Sequence, residues 1–215
     1  MSRFTLAGAA SLLVAPLLAA AALTAAPTVS DGAADRLAAL TDHRTAAIAS
    51  LAVQTVAIVL LIGGTIWLAV AVAGRSPRLA FWGGVVGVLG SLIVLFEDGV
   101  SAAGPAVVTA LDPAAAASAL DRIDSSLAVS ALEPLTIVGD LGLAALAIAT
   151  VRMGVPRWAA ALFVVGAFGE TIGFATSTRA LIVAGFVVLF VGLAGTVPTL
   201  VRKPVERTVA APATA

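Results

Sequence analysis

The chain lacks cysteine and tyrosine altogether and has one histidine, His43, and one lysine, Lys203. Without cysteine there is no disulfide, no thiolate nucleophile and no thiolate metal site, and the redox compartment is left open. His43 sits in "TDHRT" and reads as a solvated loop residue. Nothing places it beside a serine and an acid, as a hydrolytic triad needs. Aromatic residues make up only 5% of the chain, too few to line a pocket for an isoprenoid-like substrate, so the reading leans away from an enzyme. Charge is scarce too. Only 11% of the 215 residues are Asp, Glu, Lys or Arg, against about 25% in soluble domains. The formal net charge is zero, which gives no general attraction to nucleic acid. No Walker motif, HExxH, GxSxG or nucleic-acid signature occurs, and no cofactor or metal site is expected.

What the chain has in abundance is apolar surface. It is 60% hydrophobic, with a mean hydropathy of +1.11. A soluble core cannot absorb that much without large exposed patches, so the bilayer is the expected solvent. A membrane helix needs about 20 mostly apolar residues. Six segments qualify, at 4–26, 51–73, 79–96, 132–151, 158–176 and 180–201. The expected fold is therefore all-α: one polytopic helical bundle over residues 1–203, followed by a disordered tail over 204–215. The first segment also resembles a signal peptide. Its apolar run is long for that role, and a retained helix is the preferred reading.

Arginines set the expected orientation. Arg3, Arg75, Arg78, Arg152, Arg157, Arg202, Lys203 and Arg207 fall on one side of such a bundle. Only Arg36, Arg44, Arg122 and Arg179 fall on the other. Basic residues near helix ends favour the cytoplasmic side, so both termini are expected inside. Trp67, Trp82 and Trp158 lie beside the cytoplasmic turns and are expected as an interfacial aromatic belt.

Two stretches repeat. "DRLAALTDHRTAAIASLAV" starts at Asp35 and "DPAAAASALDRIDSSLAV" at Asp112. Each leads to a membrane segment and then to a Pro-Arg pair, Pro77-Arg78 and Pro156-Arg157. Gly87 and Gly90 match Gly166 and Gly169, about 79 residues on. This predicts an internal duplication of helix-hairpin units, related by an axis along the membrane normal. The stretches at 31–50 and 112–126 are expected to be short helices that lie on the outer surface or pack on each other.

Two acids fall inside membrane segments, Asp140 in "TIVGDLGLA" and Glu170 in "GAFGETIGF". Ionisable residues there usually face the bundle interior and mark function. Counting from Arg152 and Arg157 at 1.5 Å per residue places them roughly 18 and 20 Å from the cytoplasmic face. They sit at one level on helices joined by a short turn. Gly139 and Gly142, with Gly166, Gly169 and Gly173, would let those helices approach closely. Two such carboxyls side by side do not both ionise cheaply and would hold a proton between them. The pair is the candidate polar site, for a proton, for a cation, or for an acid step on a lipophilic substrate. The packing alternative is a contact of Glu170 with Arg179, Thr171 or Thr176. Glu97 and Asp98 in "FEDG" read as the wet end of the third segment, and Glu133 before Pro134 as a helix-start residue. With Arg179 they are the secondary candidates, and a cation or metal site of these acids with Asp140 stays open although it lacks His or Cys ligands. Gln54, Thr55 and Thr65 read as helix-to-helix or backbone hydrogen-bonding groups.

The "LTDHR" segment, the Ala/Asp stretch before "SLAV", and "VRMGVPRWAAAL" resemble uncharacterised small multi-pass inner-membrane proteins of high-GC bacteria. The resemblance implies a helical inner-membrane bundle and transfers no catalytic residue. Three functions are open at this point. The first is an accessory protein whose glycine-rich faces bind a membrane-protein partner or a second copy, and it leads by default. The second is a small proton- or cation-linked transporter using Asp140 and Glu170. The third is a membrane enzyme.

Overall fold

The computed structural model describes residues 2–27, 33–124, 126 and 135–202. Within them the chain is helical, with no strand. In chain order the helices are α1 (Arg3–Ala25), α2 (Ala33–Asp42), α3 (Arg44–Val72), α4 (Pro77–Ser101), α5 (Ala103–Ala110), α6 (Pro113–Asp124), α7 (Thr136–Arg152), α8 (Arg157–Ala175) and α9 (Arg179–Arg202). Local chemistry explains several starts. Ser2 caps α1 by accepting from the Thr5 N–H at 3.2 Å. Pro77 stands in the first turn of α4, where its missing N–H costs nothing. Asp112 caps α6, its Oδ1 accepting from the Ala114 and Ala115 N–H groups at 3.1 Å.

Five helical stretches are long and apolar enough to cross a bilayer: Arg3–Ala25, Arg44–Val72, Pro77–Pro105, Arg157–Ala175 and Arg179–Arg202. The sixth expected segment corresponds to α7, which is shorter at 17 residues. Each of the six long helices turns large apolar side chains outward, such as Phe4, Val59, Leu89, Leu141, Val165 and Val187. A protein bathed in lipid can do this without penalty. Glu133, the end of the second repeat and the expected tail at 204–215 lie outside the described residues.

The six long helices form a ring in chain order, closed by α9 against α1. Three pairs pack most extensively: α8 with α9, α1 with α3, and α4 with α7. The seams between pairs, α3/α4, α7/α8 and α9/α1, are thinner. Glycine lets the three extensive pairs close backbone to backbone or onto large side chains, while at the thinner α3/α4 seam Gly84 receives only the methyl of Ala69. Between α4 and α7, a Cβ at Gly90 would collide with the Cα of Gly139, and one at Gly142 with the backbone of Gly87. Between α8 and α9, Gly166 lies on Leu189 and Gly185 on the backbone of Glu170. Between α1 and α3, Gly8 receives Trp67 and Gly64 receives Leu12. The glycines around Asp140 and Glu170 therefore close α7 onto α4 and α8 onto α9. They do not close α7 onto α8, as their spacing had suggested.

One end of the ring carries Arg3, Arg75, Arg78, Arg152, Arg157 and Arg202, and is called here the arginine end. There Arg75 donates from Nη1 to the Arg152 carbonyl at 3.3 Å, joining the turn at 73–76 to the end of α7. At the other end, the cap end, α2, α5 and α6 pack on one another around buried Leu40 and Leu120. Of the two arrangements expected for α2 and α6, mutual packing is the one observed. Trp67 departs from its expected place. It is only 3% exposed, because Gly8 of α1 opens a slot for its ring. Trp82 and Trp158, at helix starts of the arginine end, stay exposed.

Candidate functional site

The ring does not close fully on itself. A cavity of about 530 Å³ occupies its cap-end half, walled by all six long helices. The arginine-end half is filled by buried side chains, among them Leu12, Leu68, Leu146, Phe163 and Leu193. The cavity wall is mostly apolar, with Ala15, Pro16, Leu61, Leu143, Phe174 and Phe186 among its residues. Against this background stand nine polar ones, among them Gln54, Glu97, Asp98, Asp140, Glu170 and Thr171. None of the described lining residues is basic.

Asp140 is 4% exposed. It projects from α7 beside Gly139 because the close α4/α7 contact turns that face inward. Its Oδ2 accepts the Thr171 hydroxyl at 2.5 Å. Glu170 precedes Thr171 on α8, is half-buried, lines the same cavity and is near enough to interact with the Asp140 charge. The structure thus brings the sequence-predicted pair to one chamber, with Thr171 as the hydroxyl that reaches across the seam.

Arg179 does not reach Glu170. One terminal nitrogen of its guanidinium lies among the carbonyl oxygens of Leu23, Thr24 and Ala26, at 2.8 Å from Thr24 and 2.6 Å from Ala26. It caps the end of α1, where a cation complements the helix dipole. Thr176 donates back to Ile172 and Gly173 in its own helix and also leaves Glu170 alone.

Asp98 overturns its expectation. α4 does not end at the acids but runs on to Ser101. Asp98 is buried and lines the cavity, where wet exposure was expected. Its Oδ1 accepts from Gln54 Nε2 at 3.1 Å. Its Oδ2 is buried and has no hydrogen-bond partner among the described residues. Glu97 lines the same chamber and is half-buried, so it too is not simply a wet helix end. The signal was present in the spacing. Gly87, Ser91, Val94, Asp98 and Ser101 recur at four, three, four and three residues, one continuous helical stripe. Gln54 belongs to a similar stripe with Leu51, Ile58 and Leu61.

Each thin seam therefore carries a polar tie toward the cap end: Gln54 to Asp98 across α3/α4, Thr171 to Asp140 across α7/α8, and Arg179 to α1 across α9/α1. His43 is exposed in the turn between α2 and α3, away from the cavity lining. Thr65 is fully buried without a partner for its hydroxyl among the described residues. No group of three His, Cys, Asp or Glu side chains able to hold a metal ion occurs among the described residues.

No family model, no curated protein and no solved structure matches the chain.

Proposed function

We propose that the protein is a small carrier of the bacterial inner membrane that exchanges a cation for protons at the carboxyls of its central cavity. One observation carries this: Glu97, Asp98, Asp140 and Glu170 face one apolar-walled chamber that no described basic residue shares. Negative charge concentrated in a low-dielectric enclosure attracts cations, and carboxyls there can alternate between holding a proton and holding the cation. The accessory role, which led only by default, gains no support from the glycines. Most of the glycines that would offer a face to a partner are spent on this chain's own helices.

In this reading the chain crosses the membrane six times, α7 supplying the span that length alone leaves short, with both termini in the cytoplasm. The arginine bias between the two ends supports that orientation. Duplication is part of the proposal. The matched glycines do matched work, Gly90 closing α4 onto the next long helix at Gly139 and Gly169 facing Gly185 of the helix after α8. Ser91 and Glu170, about 79 residues apart, both line the cavity.

The test is proton flux. Purified protein in liposomes with an acidic interior and an internal pH dye is challenged with external Na⁺, K⁺ or an organic ammonium. At least one cation should discharge the gradient faster than it does in protein-free liposomes, and Glu170→Gln should slow that protein-dependent discharge at least tenfold while inserting normally. Gradients that stay intact with every cation would sink the carrier reading.

A further inference from the structure

Resting on the cavity as a cation site, we propose that its substrate is a hydrophobic amine in its N–H-bearing ammonium form, and that Asp98 anchors the ammonium. Asp98 is 8% exposed, so the folded chain has enclosed a carboxylate almost completely. Gln54 Nε2 donates to Oδ1 at 3.1 Å. Oδ2 is left buried, without a donor among the described residues, on a side chain that lines the chamber. Buried acceptors are nearly always satisfied, and one that is not calls for a donor, which a water or a bound ligand can bring. Asp140 differs, since its Oδ2 already takes the Thr171 hydroxyl.

The rest of the chamber selects the body of that ligand. Its volume of about 530 Å³ is far larger than a bare ion needs and falls within the range of about 300–1,000 Å³ typical of small-molecule pockets. Hard metal ions ask for six or more oxygen ligands, or keep their waters. Here the wall is hydrocarbon and aromatic, including Phe174 and Phe186, which suits the apolar body of an amine and can face a cation with a ring. An ammonium bearing N–H satisfies Oδ2 by a charge-assisted hydrogen bond, and a quaternary ammonium of the same size cannot. Binding neutralises a buried charge and makes the missing bond in one event.

The full chain in detergent micelles, dialysed to equilibrium against N,N-dimethylbenzylamine or benzyltrimethylammonium, with empty micelles as the blank, tests this. The two probes share ring and charge and differ in the N–H. The tertiary amine should bind at least tenfold more tightly. Asp98→Asn should abolish that preference while keeping helicity and a monodisperse profile. The wild-type comparison needs no variant, so a misfolded Asn form does not protect the idea. Equal affinity for both probes, or an unchanged preference in Asp98→Asn, overturns the anchor. If neither probe binds while Na⁺ or K⁺ still drives Glu170-dependent proton flux, the substrate class is wrong and the carrier stands. If neither probe binds and no cation drives flux, both readings fall.

Discussion

At Arg179 a single guanidinium holds the last turn of α1, supplying donors to carbonyls that the helix end leaves open. The residue is half-buried, so the tie is screened less than a surface pair. Arg179→Ala should destabilise the protein by about 1.5–3 kcal/mol, the order expected for a hydrogen bond to a charged group. Hydrogen exchange should quicken over residues 20–26, and Arg179→Lys should recover part of the protection. Exchange unchanged in that segment would mean that the seam is held by packing alone. The sequence showed Arg179 as a charge near the membrane edge but not its partner, because the carbonyls it meets lie more than 150 residues away. Trp67 was misplaced for a related reason. Its neighbours in sequence suggested an interface, and the slot that receives it is made by Gly8, on another helix.

At the scale of the element, each long helix was legible from its apolar run, and the boundaries differ from expectation chiefly where charged residues lie at a span's edge, at the start of α3 with Arg44 and at the end of α4 with Glu97 and Asp98. Which helices pair was not legible. Glycine spacing marks a close contact but does not say with which neighbour, and the stripes on α7 and α8 fitted one another as well as they fitted α4 and α9. The pairing can be tested through two glycines of opposite setting. A side chain at Gly90 would meet the backbone of Gly139, whereas Gly63 has open space around its Cβ position. Gly90→Val should cost at least about 1–3 kcal/mol through overpacking that backbone cannot relieve. Gly63→Ala should stabilise by up to about 1 kcal/mol through helix propensity alone. Thermal unfolding in detergent compares them, and equal melting temperatures would contradict the α4/α7 contact.

For the whole molecule, the hydropathy and the arginine bias were legible, while the cavity was not, since it arises only when six helices are set in a ring. Orientation is testable with the cysteine-free chain. Gly74→Cys and Thr41→Cys both place a thiol at an exposed position, at opposite ends of the bundle. A membrane-impermeant maleimide should label position 41 in intact cells and position 74 only after permeabilisation; the reverse pattern inverts the topology. The route of the chain around the ring has a further mechanical consequence. The turns at 73–76 and 153–156 tether successive tight pairs at the arginine end, and Arg75 clasps the first turn to the end of α7. At the cap end the seams carry polar ties, and α2, α5 and α6 add a packed layer over the first two pairs. Of three stiff petals bound at the base, the α8/α9 pair, outside that layer, parts most easily at the tip. The chamber should therefore breathe toward the cap, and passage through the base requires separating the packed layer around Phe163, a far slower event.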